Sequence, residues 1–359
     1  MTQKILIVGG GIIGASFALH LAEAGADVRL LDAQRSVGGI ATPASWAWIN
    51  ASWGNPPDYF RLRHESMRQW REIDRRVPGL AVNWCGGLLW DMAEADLLSY
   101  ASERNAQGYE VRVLDGKAAL KIEPALAVAP PVAVHVPGEA SVEPVHAVER
   151  LLSAARERGA EVLHGTGVRW LIEKKGRIVG VMTDEGDLDA DVVVLAAGAD
   201  SPRLLKDVGQ DLALDQPPGL LVHSAPVGEM LNGLVMAPEL HVRQTSEGRL
   251  VAGSDFAGAD PGDNPQAAAE ALFAKVKAFL KGGEALALEQ FTVGYRPTPP
   301  DGVSAIGHVP GLEGLYLCVT HSGITLAPAL GALGAAEILG QGRNPLLSPF
   351  SPNRLLSKT

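Results

Sequence analysis

Three glycines near the start, Gly9, Gly11 and Gly14, stand at G-x-G-x-x-G spacing directly after the apolar run of residues 4–8. In such a pattern the first glycine permits a tight turn, the second lets the backbone approach a pyrophosphate, and the third allows close helix–strand packing. A helix opening there would offer unpaired N–H groups and the positive end of its dipole to phosphate oxygens. Asp32 follows 18 residues beyond Gly14, at the end of the next apolar run. A carboxylate at that place can accept a hydrogen bond from a ribose hydroxyl. With Ala33 beside it, this acid would repel the 2′-phosphate of NADP. The spacing points to a dinucleotide and leaves NAD and FAD both open.

The elements that must hold these residues form a βαβ unit. Residues 4–8 read as a buried parallel strand, 15–24 as a helix stopped by Gly25, and 27–31 as the second strand. Further on, helices are expected over 59–76, 96–108, 144–158 and 266–280, with a glycine-interrupted helix closing the chain. Strands are expected at 162–163, 167–172, 178–183 and 191–197, then at 220–225, 234–237, 240–244, 249–254, 291–295 and 315–319. Six of the seven tryptophans, Trp46, Trp48, Trp53, Trp70, Trp84 and Trp90, fall in one stretch of 45 residues. The Rossmann-like pieces lie at the start, middle and end, so the intervening blocks pair into a second domain and both domains are discontinuous.

Composition narrows the class. The chain has 359 residues, of which 47% are hydrophobic, enough for a large core. Its 31 basic and 41 acidic residues leave a formal charge of −10, which disfavours nucleic acid or an anionic membrane as partner. The two cysteines, Cys85 and Cys318, make neither a disulfide framework nor a zinc cluster and suit a reducing compartment. The apolar start carries one lysine and three successive glycines and does not read as a signal peptide. The stretch 322–340 contains Pro328 and Glu337 and reads as a buried helix, short of the ~20 apolar residues a bilayer needs. A soluble, cytoplasmic protein is expected. No metal is expected: Asp255, Asp260 and Asp263 lack the spacing of an EF-hand, and His135, His146 and His164 are scattered. Ser322 in HSGIT lacks the G-x-S-x-G elbow of a hydrolase.

Longer segments carry a family likeness. ILIVGGGIIG, GEASVEPVHAVERL, DADVVVLAAGADS, YRPTPPDGVSAIG and HSGITLAPALG occur in that order. Together they resemble the FAD-dependent D-amino-acid oxidase superfamily, in the branch of glycine oxidases, sarcosine oxidases and D-amino-acid dehydrogenases. The resemblance implies an α/β fold: a Rossmann-like FAD-binding domain of the GR2 type (1–45, 142–204 and 300–359), and a substrate domain on an antiparallel sheet (46–141 and 205–299). It implies flavin contacts from Ala41, Thr42, Ser45, Trp46, Ala47 and Trp48, from Val168 at the adenine, from Ala197 and Gly198 under the ribose, and from Gly323, Ile324 and Thr325 at the pyrimidine edge.

For the substrate, Arg296 resembles the arginine with which glycine oxidases grip a carboxylate, a task suited to its planar fork of donors. Two departures accompany it. His321 stands where those enzymes have a second arginine, and His241 where they have a tyrosine. Both leave room for a bulkier or secondary amino acid. No cysteine lies near Gly294 and no histidine between His20 and His64, so the FAD is expected to be non-covalent. No lysine lies between Lys206 and Lys275, where sarcosine oxidases keep one to activate oxygen. This tilts the expectation from O2 towards a quinone or carrier protein as electron acceptor.

The reaction implied is hydride transfer from the α-carbon of a carboxylate-bearing amine to flavin N5. The resulting imine is then hydrolysed. The substrate could be a D-amino acid, N-alkylglycine, imino acid or opine. Two other classes stay open: a flavin-bearing subunit of a hetero-oligomer that needs partners for turnover, and an NAD-linked dehydrogenase. A homo-oligomer is also compatible.

Overall fold

The computed structural model describes residues 2–51, 54–255 and 259–358; Trp53 lies outside them. Strand β1 (Lys4–Val8) runs into helix α1 (Ile12–Glu23), and the chain returns as β2 (Asp27–Asp32). The helix opens at Gly11, three residues earlier than the sequence pattern suggests, and Gly25 closes it with φ of 81°. That left-handed turn suits a glycine.

These strands lie inside a six-stranded sheet. Its order is Ala305–His308, Leu315–Val319, Val192–Leu195, β1, β2, Glu161–His164. All neighbours are parallel except the first pair. Ile7 stands opposite Val194 on one side and Leu30 on the other. Because alternate residues face opposite ways, Ile5 and Ile7 join the core under α1, Pro144–Arg156 and Gly323–Ile338, while Leu6 and Val8 join a second core under the meander Val168–Lys174, Arg177–Thr183, Gly186–Asp189. Burial on both faces explains the uninterrupted apolar runs.

The second sheet has eight strands, ordered Leu288–Tyr295, Pro218–Ser224, Leu250–Gly253, Leu240–Gln244, Leu234–Ala237, Gly87–Leu89, Val132–Val136, Arg112–Asp115. It is antiparallel as expected except where Leu234–Ala237 meets Gly87–Leu89 in parallel. One face, with Leu221, Val251 and Met236, packs towards the first sheet's core. The other, with Val222, Val242 and Ala252, is covered by helix Pro265–Phe279.

Helix α2 (Pro57–Arg76) packs on the last helix, Gly323–Ile338. Pro328 lies inside that last helix and has no N–H to give to the carbonyl four residues back, Ile324. Trp70 supplies the missing donor, its Nε1 reaching Ile324 O at 2.9 Å and Thr325 O at 3.2 Å. Ser66 donates to Thr325 O (2.7 Å) and accepts from Ala329 N (3.2 Å). The proline in the apolar C-terminal stretch is thereby accommodated in a buried helix. No helix among the described residues is long and apolar enough to cross a membrane.

Candidate active site

A cavity of about 840 Å³ runs between the two sheets, from the C-terminal ends of β1 and β2 to the strand end at Tyr295 and the loop before Gly323. Open α/β sheets place ligands outside the carboxyl ends of their strands, and this cavity obeys that rule. Of the residues singled out from the sequence, Gly9, Gly11, Asp32, Ala33, Ala41, Thr42, Ser45, Trp46, Val168, Ala197, Gly198, Gly323, Ile324, Arg296 and His321 line it.

The nucleotide end is built for close approach. Gly9 has φ of 113°, and a Cβ there would stand 2.4 Å from Ala196 O. Gly14 sits behind the wall, where a Cβ would meet Gly9 O at 1.9 Å, so its role is packing. Thr42 Oγ1 accepts from Ile12 N at 3.2 Å, pinning the 37–47 loop over the start of α1. Asp32 is 4% exposed. Its Oδ1 accepts from Gln34 N at 3.1 Å, while Oδ2 is buried with no hydrogen-bond partner among the described residues. Burial raises its carboxyl pKa, opposed by the Gln34 N–H and the charge of His164. An orphaned buried carboxylate oxygen beside a glycine turn fits a ribose hydroxyl.

Gly10 and Arg203 are among the lining residues that were not singled out from the sequence. Gly10 packs directly on Asp32, and Arg203 donates to Val168 O (3.1 Å) and Arg169 O (2.8 Å), fixing the strand that carries Val168. The Gly10 signal was present as the middle member of a glycine triplet. The Arg203 role depends on folding and has no local signature.

At the other end Arg296 follows strand Leu288–Tyr295. Its Nε is buried without a partner among the described residues, burial lowers its pKa, and the charge of Asp255 works against that shift. The group remains a cation, as arginine does in proteins. His321 has Nε2 at 3.1 Å from Ser322 Oγ and Nδ1 buried without a partner among the described residues. Its ring stacks on Tyr59 at 6.0 Å. Burial, then the charges of Arg63 and Arg296, hold its pKa down at about 3, so it is neutral near pH 7.

Four sequence candidates stand back from the cavity wall. Ala47 adopts φ of 61° and gives its N–H to Ser45 Oγ at 3.0 Å. Trp48 donates to Glu139 at 2.8 Å. Thr325 Oγ1 donates to Trp48 O at 2.9 Å and accepts from Asn50 N at 3.3 Å. His241 bonds Asp91 through Nε2 at 2.8 Å and lies behind Trp46, with ring centroids 5.8 Å apart. Trp46 itself donates to Val251 O at 3.1 Å, docking the loop on the second sheet. No group of side chains among the described residues could hold a metal ion.

Comparison with known proteins matches this geometry to a family. The chain is 30% identical over 369 residues to a glycine oxidase of Pseudomonas aeruginosa, covering 97% of this chain and 98% of that one. It is also 30% identical to the uncharacterized oxidoreductase YurR of Bacillus subtilis, covering 98% of each. The crystal structure of glycine oxidase from Geobacillus kaustophilus superposes with a TM-score of 0.88 at 25% identity, over 98% of this chain and 99% of that one. Residues 4–337 match the family model described as FAD dependent oxidoreductase, and with this extent of agreement the chain belongs to that family of FAD-dependent oxidoreductases.

Proposed function

We propose that this flavoenzyme oxidises the C–N bond of a carboxylate-bearing amine: a D-amino acid, an N-alkylglycine, an imino acid or an opine. The observation that carries the proposal is Arg296. It is a half-buried guanidinium on the cavity wall whose Nε is buried without a partner among the described residues. A carboxylate is the partner such a fork suits, in two parallel charge-assisted hydrogen bonds. Holding the carboxylate fixes the α-carbon, and orientation of that kind lowers the barrier without any protein nucleophile.

The residues fit FAD at the other end. Asp32 would take a ribose hydroxyl, the turn at Gly9 and Gly11 the pyrophosphate, and Val168 and Ala197–Gly198 would border the adenosine. Bound FAD supplies the acceptor for a hydride from the substrate α-carbon. Among the described residues no cysteine lines the cavity, which supports non-covalent attachment. No described lysine lines it either, which supports a quinone or carrier protein over O2 as acceptor. In this reading segments 1–45, 142–204 and 300–359 carry the cofactor, and 46–141 with 205–299 carry most of the substrate wall. The two unpaired cysteines suit a reducing cytoplasm.

The test is an anaerobic absorbance titration of the purified protein with D-, L- and N-alkyl amino acids. Bleaching of the flavin bands by one of these classes supports the reading and names the substrate class. Readmitting air then separates oxidase from dehydrogenase. Flavin bands that no amine bleaches overturn the reading in favour of a subunit that needs partner chains for turnover.

A further inference from the structure

Arg63 lies in the middle of α2, yet it is buried. Its Nε donates to Asn50 O at 3.1 Å, Nη2 to Asn50 Oδ1 at 2.7 Å and Nη1 to Ser322 Oγ at 2.6 Å. All three acceptors are neutral, and Arg63 forms no ion pair among the described residues. Removing a cation from water costs several kcal/mol, so a structure that keeps one here holds it tightly.

An arginine can only donate. Ser322 Oγ is therefore an acceptor towards Arg63, which leaves its own hydrogen free to be given to another neighbour. That neighbour is His321 Nε2 at 3.1 Å. With Ser322 donating, Nε2 is the accepting nitrogen and the ring proton resides on Nδ1. Nδ1 is the atom left buried without an acceptor, and orphaned buried N–H groups are rare in native proteins. Tyr59 stacks on the imidazole, with its hydroxyl 3.2 Å from Ser304 Oγ, which opposes turning the ring over.

We infer that Arg63 and Ser322 lock His321 as its neutral Nδ1–H tautomer, so that the cavity offers the substrate carboxylate an uncharged donor beside the cation Arg296. The inference rests on the carboxylate-amine reading. Arg63 and Ser322 are positioning residues, since they act through His321. The depressed pKa of His321 agrees: protonating Nε2 would strand the Ser322 hydrogen. Arg296 then supplies the charge and His321 the direction, a division that favours a single carboxylate over a second anionic group.

The experiment uses holoenzyme labelled with 15N-histidine, in which long-range 1H–15N correlations report each tautomer. The His321 signal is assigned by its loss in His321→Gln. Acetate serves as the carboxylate probe, titrated against the flavin spectrum. The expected result is a proton on Nδ1 that shifts when acetate binds. In Ser322→Ala the ring becomes a mixture of tautomers and acetate binding weakens about tenfold, as loss of one hydrogen bond to a charged group predicts. Ser322→Thr, which keeps the hydroxyl, restores both. A proton on Nε2 in the unmodified protein overturns the inference, as does acetate affinity indifferent to Ser322→Ala. Should the alanine variant fail to fold, the tautomer and its response to acetate in the unmodified protein still decide. If acetate binds as stated but no amine bleaches the flavin, the substrate reading falls and the assignment of His321 stands.

Discussion

A Cβ on Gly10 would stand 2.2 Å from Oδ2 of Asp32 and 2.7 Å from its Cβ. The residue between the first two fingerprint glycines is thus the one that leaves room for the Asp32 carboxylate, which we propose faces a ribose. Gly10→Ala must push Asp32 aside. The expected outcome is protein that folds but purifies largely without flavin, with FAD affinity down about tenfold or more. Full flavin absorbance in that variant would remove Asp32 from the cofactor site.

Arg296→Met keeps the length of the side chain and removes the fork. We expect flavin content to be unchanged and KM for the amine substrate to rise about ten- to hundredfold, the range for losing a hydrogen-bonded charge. The measurement is steady-state kinetics with an artificial electron acceptor. A kcat that falls while KM holds would place the carboxylate elsewhere.

Acid should weaken the fold through two histidines. Burial, then the charge of Arg76, holds His20 at about 4, with Glu23 opposing, and His321 is held at about 3. An unfolded histidine titrates near ~6.5. Both native values are lowered, so their contribution to stability is complete above that value and is lost as pH falls from about 6.5 towards 4. Each proton adds a slope of up to about 1.4 kcal/mol per pH unit. Urea unfolding across that range should show the decline, and His20→Leu should flatten it. An equal slope in the variant would mean that His20 titrates freely in the native protein.

Trp70 and Pro328 should be coupled. Trp70→Phe removes the donor that serves the carbonyl of Ile324, and a loss of about 1–3 kcal/mol is expected from the unsatisfied group. Pro328→Ala restores the backbone N–H, so in the double variant part of that loss should return. Denaturant unfolding of the four proteins completes the cycle. Strictly additive changes would show that Trp70 contributes packing alone.

The sequence reading succeeded where periodicity is strong. Strands at 4–8, 234–237, 240–244 and 315–319 have the bounds expected of them: three are apolar runs, and 240–244 alternates apolar with polar residues. It missed Gly87–Leu89, Arg112–Asp115 and Val132–Val136, which are too short to display an alternation. Their place comes from pairing with one another and with Leu234–Ala237, far along the chain. Helix Gly116–Ile122 was missed although Asp115 caps it by accepting from Ala118 N at 2.7 Å, a signal that could have been read.

At the site, the glycine fingerprint and Arg296 were legible from local pattern and family likeness. The seat of His241 was not, because Trp46 and Asp91, which decide it, lie 195 and 150 residues away in sequence. Arg63 left a trace: Tyr59, Arg63, Ser66 and Trp70 repeat at the spacing of a buried helix face, and an arginine in that register is a charge destined for the interior.

The cavity is closed by segments far apart in the sequence. β1 sits mid-sheet between β2 and Val192–Leu195, and the cavity is completed by Gly323 and Ile324. On a ribosome, β1 therefore keeps one edge bare until Val192–Leu195 has emerged, and Gly323 and Ile324 follow later still. Such distant pairings are slow to form, and the early βαβ unit can present Asp32 but has no floor beneath a flavin. On the proposed placement of the flavin against Gly323 and Ile324, its capture would have to wait for the segment that carries them.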